Sequence, residues 1–279
     1  MLELEKVVVE KISKSFVSSG GKAKREVLHD ISFSVQDGEI VSVIGPTGCG
    51  KSTLMRIIAG IAPSDSGRVT VGGKDVRDYS TPPSAMVFQS FNLFPWRTVI
   101  KNIEFGLEAK GIQAQEKQQT AQHFIDLVGL KGYEKFHPHE LSGGMQQRVG
   151  LARALAISPE VILLDEAFSS VDLLTRETLQ DEVLRILQET KKTAILVTHN
   201  IDEAIVLSNR IFSLGGTPAT IKETFNIDLP YPRSDTVLQS NNALALKSRL
   251  KQSLLSSFKM ETEAEASEGK NFSVGVEQI

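Results

Sequence analysis

The 279-residue sequence has a single cysteine, Cys49. That excludes an intramolecular disulfide framework and fits a reducing compartment. No apolar run approaches the roughly 20 residues that a membrane-spanning helix requires. The N-terminus is charged at Glu3, Glu5 and Lys6, unlike a secretory leader, so a cytoplasmic chain is expected. Neither sign of charge is in excess: 31 basic against 34 acidic side chains leave a net charge of −3, which argues against a nucleic-acid surface. Internal repeats are also missing. What remains is ordinary globular material, 41% apolar and long enough for one large domain or two small ones.

Two glycine turns stand out. GPTGCGKS, Gly45 to Ser52, runs into a helix and matches a phosphate loop. Its glycines let the backbone fold tightly enough for successive N–H groups to face phosphate oxygens. Lys51 then supplies charge to the β and γ phosphates of a nucleotide and Ser52 a magnesium ligand. The second turn is LSGGMQQ, Leu141 to Gln147, which opens the helical run MQQRVGLARAL; a glycine turn at a helix start is a further anion site. One chain thus holds two phosphate cradles.

Periodicity orders the rest. VVVEKISKSF and VLHDISFSV, divided by a loop at 18–25, read as antiparallel strands. EIVSVIG reads as a buried strand, and the helix from Lys51 to Ala59 stops at Gly60. From Phe91 to Ile157 only helical spacing occurs, which predicts a helical insertion. Strands resume at VILLD, TAILVTH and RIFSLG with helices after Leu173 and Ile201, the alternation of a mostly parallel α/β sheet. After LPYPRS, leucines 246, 250 and 254 with Phe258 mark one face of a helix over about 235–258. The acidic stretch beyond it is expected to be disordered.

Four further residues fall at the carboxyl ends of predicted strands, where open α/β sheets bind ligands. VILLDE places Asp165 and Glu166 there, the first suited to magnesium and the second to general-base catalysis. Gln89 follows AMVF, and His199 follows AILVT. Phe16 is a candidate to stack on adenine, although an aromatic among strands equally suits a core.

GPTGCGKS, Gln89, LSGGMQQ, VILLDE, SSVD and His199, in this order and spacing, resemble the nucleotide-binding subunits of ATP-binding cassette (ABC) transporters over about residues 1–232. The resemblance implies a RecA-like core with an antiparallel β subdomain and a helical subdomain at about 91–157, followed by a C-terminal extension at 233–279. ATP and Mg²⁺ are the implied cofactors. Nucleotide contacts carry over to Phe16, to Gly45, Pro46, Thr47, Gly48, Cys49, Gly50, Lys51, Ser52 and Thr53, and to Ser142, Gly143, Gly144 and Gln146. Ser52, Gln89 and Asp165 become metal ligands, and Glu166, His199, Lys51 and Gln89 catalytic groups.

The resemblance also accounts for two cradles. In the family, cassettes pair head to tail, and each ATP lies between the phosphate loop of one chain and the LSGG turn of the other. FNLFPWRTVIKNIEFGLE, HPHELSGGMQQRVGLARAL, VTHNIDEAIVLSNRIFSL and LPYPR are most similar to importer subunits for nitrate, sulfonate, taurine or bicarbonate. That similarity implies a dimer beneath two membrane permease subunits, on the cytoplasmic face and fed by an external solute-binding protein. Phe91, Phe94 and Trp96 either meet the membrane subunit or fill the helical subdomain's core. A soluble, non-transport cassette ATPase acting on nucleic acid or ribosomes is the rival reading; the coiled-coil insertions, zinc hooks or paired cassettes usual there are absent. Ala167 replaces a proline common after the acidic pair, and Gly150 stands where alanine is frequent.

Overall fold

The structure is a computed structural model that describes residues 5–17, 24–88, 90–169, 171 and 173–268. Two sheets organise it. The first contains β1 (Glu5–Val17), β2 (Lys24–Gln36), β4 (Ser66–Val71) and β5 (Lys74–Asp75) in the order β2-β1-β4-β5, all antiparallel. In β1, Val7, Val9 and Ile12 are buried while their neighbours are not, as a sheet with one covered face requires. The second sheet contains β3 (Ile40–Ile44), β6 (Ser84–Phe88), β7 (Val161–Asp165), β8 (Thr193–Thr198), β9 (Arg210–Gly215) and β10 (Thr220–Asn226). Its order is β10-β9-β3-β8-β7-β6; β10 is antiparallel and the other pairings are parallel. Every residue of β3 and of β8 is buried, which is why both read as largely apolar runs without alternation.

Helix α1 (Lys51–Ile58) leaves β3 and ends before Gly60, whose φ of 72° allows the left-handed turn that stops it. The helical subdomain comprises α2 (Val99–Ala109), α3 (Ala114–Leu127) and α4 (Gly143–Ala156). Ile103, Ile125, Val149 and Leu151 join its core to that of the parallel sheet. Helices α5 (Leu173–Glu189) and α6 (Ile201–Leu207) connect β7 to β8 and β8 to β9.

The C-terminal region departs from the sequence expectation in two ways. The single helix expected at 235–258 is split into α7 (Asp235–Leu238) and α8 (Asn241–Glu268), because Ser240 leaves the helix and its Oγ accepts from the Ala243 amide. The backbone is helical through Glu268, past the expected end at 258; residues 269–279, the rest of the stretch expected to be disordered, lie outside the described residues. Alanine and glutamate between 261 and 268 favour helix intrinsically, which an acidic composition disguises. The expected stripe packs on its own cassette: Leu250 is fully buried, and Leu246 and Leu254 lie against Ala204, Ile205, Ile211 and Phe225. The side chain of Phe258 is outside the described residues. The sequence reading passed over β4, β5 and β10. Gly72 and Gly73, both at positive φ, form the two-residue turn between β4 and β5 and were the available signal.

Candidate functional site

Parallel register brings the candidate residues to one edge. Ile44 pairs with Thr198, Val197 with Asp165, and Asp165 with Phe88, so β3, β8, β7 and β6 end in the same row. The turn after β3 is the phosphate loop, His199 follows β8, and Asp165 and Glu166 end β7. Gln89, after β6, lies outside the described residues, as do Ser170 and Asp172 of SSVD.

The loop leaves no room for other residues at two of its glycines. A Cβ on Gly45 would come 2.8 Å from the Leu214 carbonyl oxygen. Gly50 has φ 103°, and a Cβ there would meet the Val27 side chain at 2.7 Å. Thr47 and Gly48 are at the surface, whereas Pro46 is buried. Cys49 is 7% exposed and packs into the core, so its side chain does not face the cradle and only its backbone could serve a ligand. Lys51 is 5% exposed; its Nζ donates to the carbonyl oxygens of Gly45 at 2.9 Å and Pro46 at 2.7 Å. The ammonium is therefore held beneath the loop's amides, satisfied by groups it can exchange. Thr53, at the start of α1, is half-buried.

Ser52 Oγ donates to Asp165 Oδ1 at 3.2 Å. Burial pushes the Asp165 carboxyl above its ordinary range; the Ser52 hydrogen bond opposes this and the neighbouring Glu166 charge adds to it. A hydroxyl beside a half-buried carboxylate is a hard-oxygen donor set that fits a hard divalent cation. Glu166 sits at φ 47°, a left-handed conformation unusual for a side-chain-bearing residue, which turns the chain out of β7. His199 Nδ1 lies 3.6 Å from Glu166 Oε1. Ser169 Oγ donates to the Glu166 carbonyl oxygen at 2.8 Å and fixes the following turn.

Phe16 is 49% exposed, with the Lys14 ammonium 5.7 Å from its ring centre, so it is a surface aromatic and not a core one. In the second cradle, exposed Ser142 caps α4: its Oγ accepts from the Met145 amide at 3.3 Å. Gly144 is buried, Gly143 half-buried, and Gln146 donates to the Leu141 carbonyl oxygen. Trp96 is 72% exposed and Phe94 half-buried; with Phe105 they form an aromatic patch, the Phe94 ring centre lying 5.5 Å from Trp96 and 4.5 Å from Phe105. Trp96 is therefore no core residue. Phe91 is half-buried against Gly143.

Sequence reasoning did not single out Glu203, which the fold buries to 5% exposure. An acid in the first turn of a helix reads as a solvated partner of the helix dipole, and Glu203 resembles its neighbour Asp202 in this. Only burial tells them apart.

The fold and the edge define a nucleotide-hydrolysing cassette. A sequence profile of the ABC transporter family matches residues 28–169. The chain is 47% identical to an uncharacterised ABC transporter ATP-binding protein of Methanocaldococcus jannaschii, over 84% of this chain and 86% of that one. It is 45% identical to the aliphatic sulfonates import ATP-binding protein SsuB of Bacillus licheniformis, over 77% of this chain and 83% of that one. It is 42% identical to the nitrate import ATP-binding protein NrtC of Synechococcus elongatus, over 81% of this chain but 35% of that longer one. Among solved structures, the dimeric ATP-binding cassette MJ0796 in a post-hydrolysis state with ADP and Pi superposes with a TM-score of 0.69 at 28% identity, covering 79% of this chain and 98% of that one. The chain belongs to the ABC transporter family and is an ATP-binding, ATP-hydrolysing cassette. Among the described residues, no helix is long and apolar enough to cross a membrane.

Proposed function

We propose that this chain is the ATPase subunit of an importer for a small anion of the nitrate, sulfonate, taurine or bicarbonate type. It works as a dimer in which each ATP is shared between the Gly45–Ser52 loop of one chain and the Ser142–Gly144 turn of the other. The observation that carries the ATPase reading is the convergence of Lys51, Ser52, Asp165, Glu166 and His199 at one sheet edge. The anion class draws its support from the sulfonate and nitrate import relatives.

In this reading Lys51 exchanges the carbonyls of Gly45 and Pro46 for the β and γ phosphate oxygens, with the amides of Gly48 to Thr53 around them and Phe16 stacked on adenine. Ser52, Asp165 and Gln89 would hold Mg²⁺, which would supply charge neutralisation to the phosphates. Glu166 accepts a proton from water as its oxygen attacks the γ phosphorus; the bond to the bridging oxygen breaks and ADP leaves. His199, oriented beside Glu166, contacts the γ phosphate. Ser142, the Gly143 and Gly144 amides and Gln146 of the second chain complete the same phosphate's surroundings only when the dimer is closed, so hydrolysis releases it. The aromatic patch around Trp96 is the surface offered to a permease subunit, since an exposed cluster of this kind marks an interaction site.

Glu166→Gln tests the site. It keeps size and hydrogen bonding but removes the base, so ATP binding persists, hydrolysis falls by about a hundredfold or more, and the ATP-closed dimer accumulates on a sizing column. Ser142→Arg in the same background prevents the dimer. Should Glu166→Gln remain monomeric at saturating ATP even when assembled with its membrane subunits, the shared-site reading is wrong. Uptake of labelled nitrate, sulfonate, taurine and bicarbonate by the assembled transporter tests the anion class; transport of none of them rejects it.

A further inference from the structure

Between β6 and the aromatic patch the chain makes a bend that its residue types do not favour. Phe91 and Asn92 have φ of 53° and 46°, two successive side-chain-bearing residues in the left-handed region. Asparagine visits that region readily, whereas a phenylalanine keeps such a conformation only where its surroundings impose it. Ser90 Oγ donates to Asn92 Oδ1 at 3.0 Å, a local tie that does not reach Phe91.

The surroundings are α4. Arg153, half-buried in the last turn of that helix, donates from Nη1 to the Asn92 carbonyl oxygen at 2.7 Å and from Nη2 to the Phe91 carbonyl oxygen at 3.1 Å. Two successive carbonyls facing one side chain suit the planar fork of a guanidinium, which an ammonium cannot match. The same guanidinium lies 5.7 Å from the ring centre of Phe94. At the other end of α4 the Phe91 ring reaches the second cradle, its Cζ lying 3.8 Å from where a Gly143 Cβ would stand. Between the two ends, the Phe91 carbonyl oxygen is 3.8 Å from the corresponding point on Gly150. The bend is thus laid along α4, gripped by a side chain of its last turn and touching the Ser142–Gly144 turn at its start. It also begins beside the first cradle, because Phe88, the last residue of β6, is in register with Asp165.

We propose that Arg153 is a positioning residue of the second cradle: by fixing the Phe91–Asn92 bend it holds the Phe91 ring against Gly143, so that the Ser142–Gly144 turn is set relative to the first cradle of the same chain. The turn that meets the partner's nucleotide is then placed by the edge at which its own chain binds ATP. This rests on the shared-site dimer proposed above. Arg153 acts through Phe91, and its loss affects how the dimer closes before it affects how one chain binds nucleotide.

The test compares Arg153→Met, which keeps a long side chain but has no donor, with its parent in the full chain. In the Glu166→Gln background at saturating ATP, the protein concentration needed for half-dimerisation should rise on the order of tenfold, the change that loss of one charge-assisted hydrogen bond gives. ATP affinity of the single chain, measured by titration calorimetry in a Ser142→Arg background that cannot dimerise, should not change. Hydrogen exchange of the 90–93 amides should quicken while that of β3 and β8 stays as in the parent, which locates the effect in the bend. Arg153→Lys keeps the charge without the fork and should fall between parent and Arg153→Met in dimerisation. Parent-like dimerisation in Arg153→Met overturns the proposal. So does a loss of dimer matched by a loss of single-chain ATP affinity, or by faster exchange in β3 and β8, since either would mean a general structural role. The parent is the control for the shared site: if Glu166→Gln stays monomeric at saturating ATP even with its membrane subunits, the dimer reading itself fails, whatever Arg153→Met does.

Discussion

The turn at Gly45–Ser52 and the turn at Ser142–Gly144 each deliver a helix N-terminus, yet different things constrain them. In the first, the chain itself demands the glycines: Gly45 touches β9, and Gly50 is left-handed against Val27. Its lysine is buried and already satisfied by loop carbonyls. In the second, neither Gly143 nor Gly144 has a positive φ, and a Cβ on Gly143 would meet only the Phe91 ring at an ordinary 3.8 Å. Ser142 is exposed. One cradle is constrained by its own fold, whereas among the described residues nothing crowds a side chain at Gly143. Under the proposed shared site, the constraint on that turn would come from a nucleotide held by a second cassette.

The widest separation between the cradles should appear in binding. Lys51→Ala removes the buried ammonium of the first cradle and should reduce hydrolysis by about a hundred- to a thousandfold, as loss of a preorganised charge donor does. It should also weaken ATP binding to the single chain. Ser142→Arg should abolish hydrolysis comparably but leave single-chain ATP binding intact. Titration calorimetry on the two variants measures this, and equal loss of ATP binding in both would collapse the distinction.

Stability should separate them more modestly. Gly50→Ala imposes a left-handed alanine and drives a methyl into Val27 and Leu28, costing about 2–4 kcal/mol. Gly143→Ala, at the start of α4 with room for the methyl, should change stability by no more than about 0.5 kcal/mol while still impairing hydrolysis. Urea unfolding gives both values. A costly Gly143→Ala would mean that the second turn, too, is constrained from within.

Much of this was legible because the chemistry is local. Gly45–Ser52 and the Asp165–Glu166 pair carry their roles in contiguous residues, and β3 and β8 carry their burial as largely apolar runs. What could not be read depends on neighbours remote in sequence. β10 alternates weakly because it is an edge strand with charged residues at Lys222 and Glu223, and only its pairing with β9 makes it a strand. The break at Ser240 and the continuation of α8 to Glu268 were lost for opposite reasons, a local cap overlooked and an acidic composition over-read. Phe16 and Trp96 could have been core or surface on composition alone, and packing decided for the surface. Glu203 is the clearest case: it is equivalent to Asp202 in sequence and opposite to it in environment.

The smallest effect concerns a third glycine, Gly150, which lies inside α4 where neither argument for the cradles applies. Its φ is not positive, and an added Cβ would sit 3.8 Å from the Phe91 carbonyl oxygen and 3.9 Å from Val87, which is ordinary contact. Among the described residues nothing therefore requires glycine there, and α4 bears the entropic cost of holding one in helical conformation. Gly150→Ala should stabilise the protein by about 1 kcal/mol, with ATP binding and hydrolysis unchanged. Its shift in urea midpoint should be opposite in sign to that of Gly50→Ala. If Gly150→Ala instead impairs hydrolysis while raising stability, the helix behind the second cradle must flex during turnover, and α4 would be an element of the mechanism in addition to a support for Ser142.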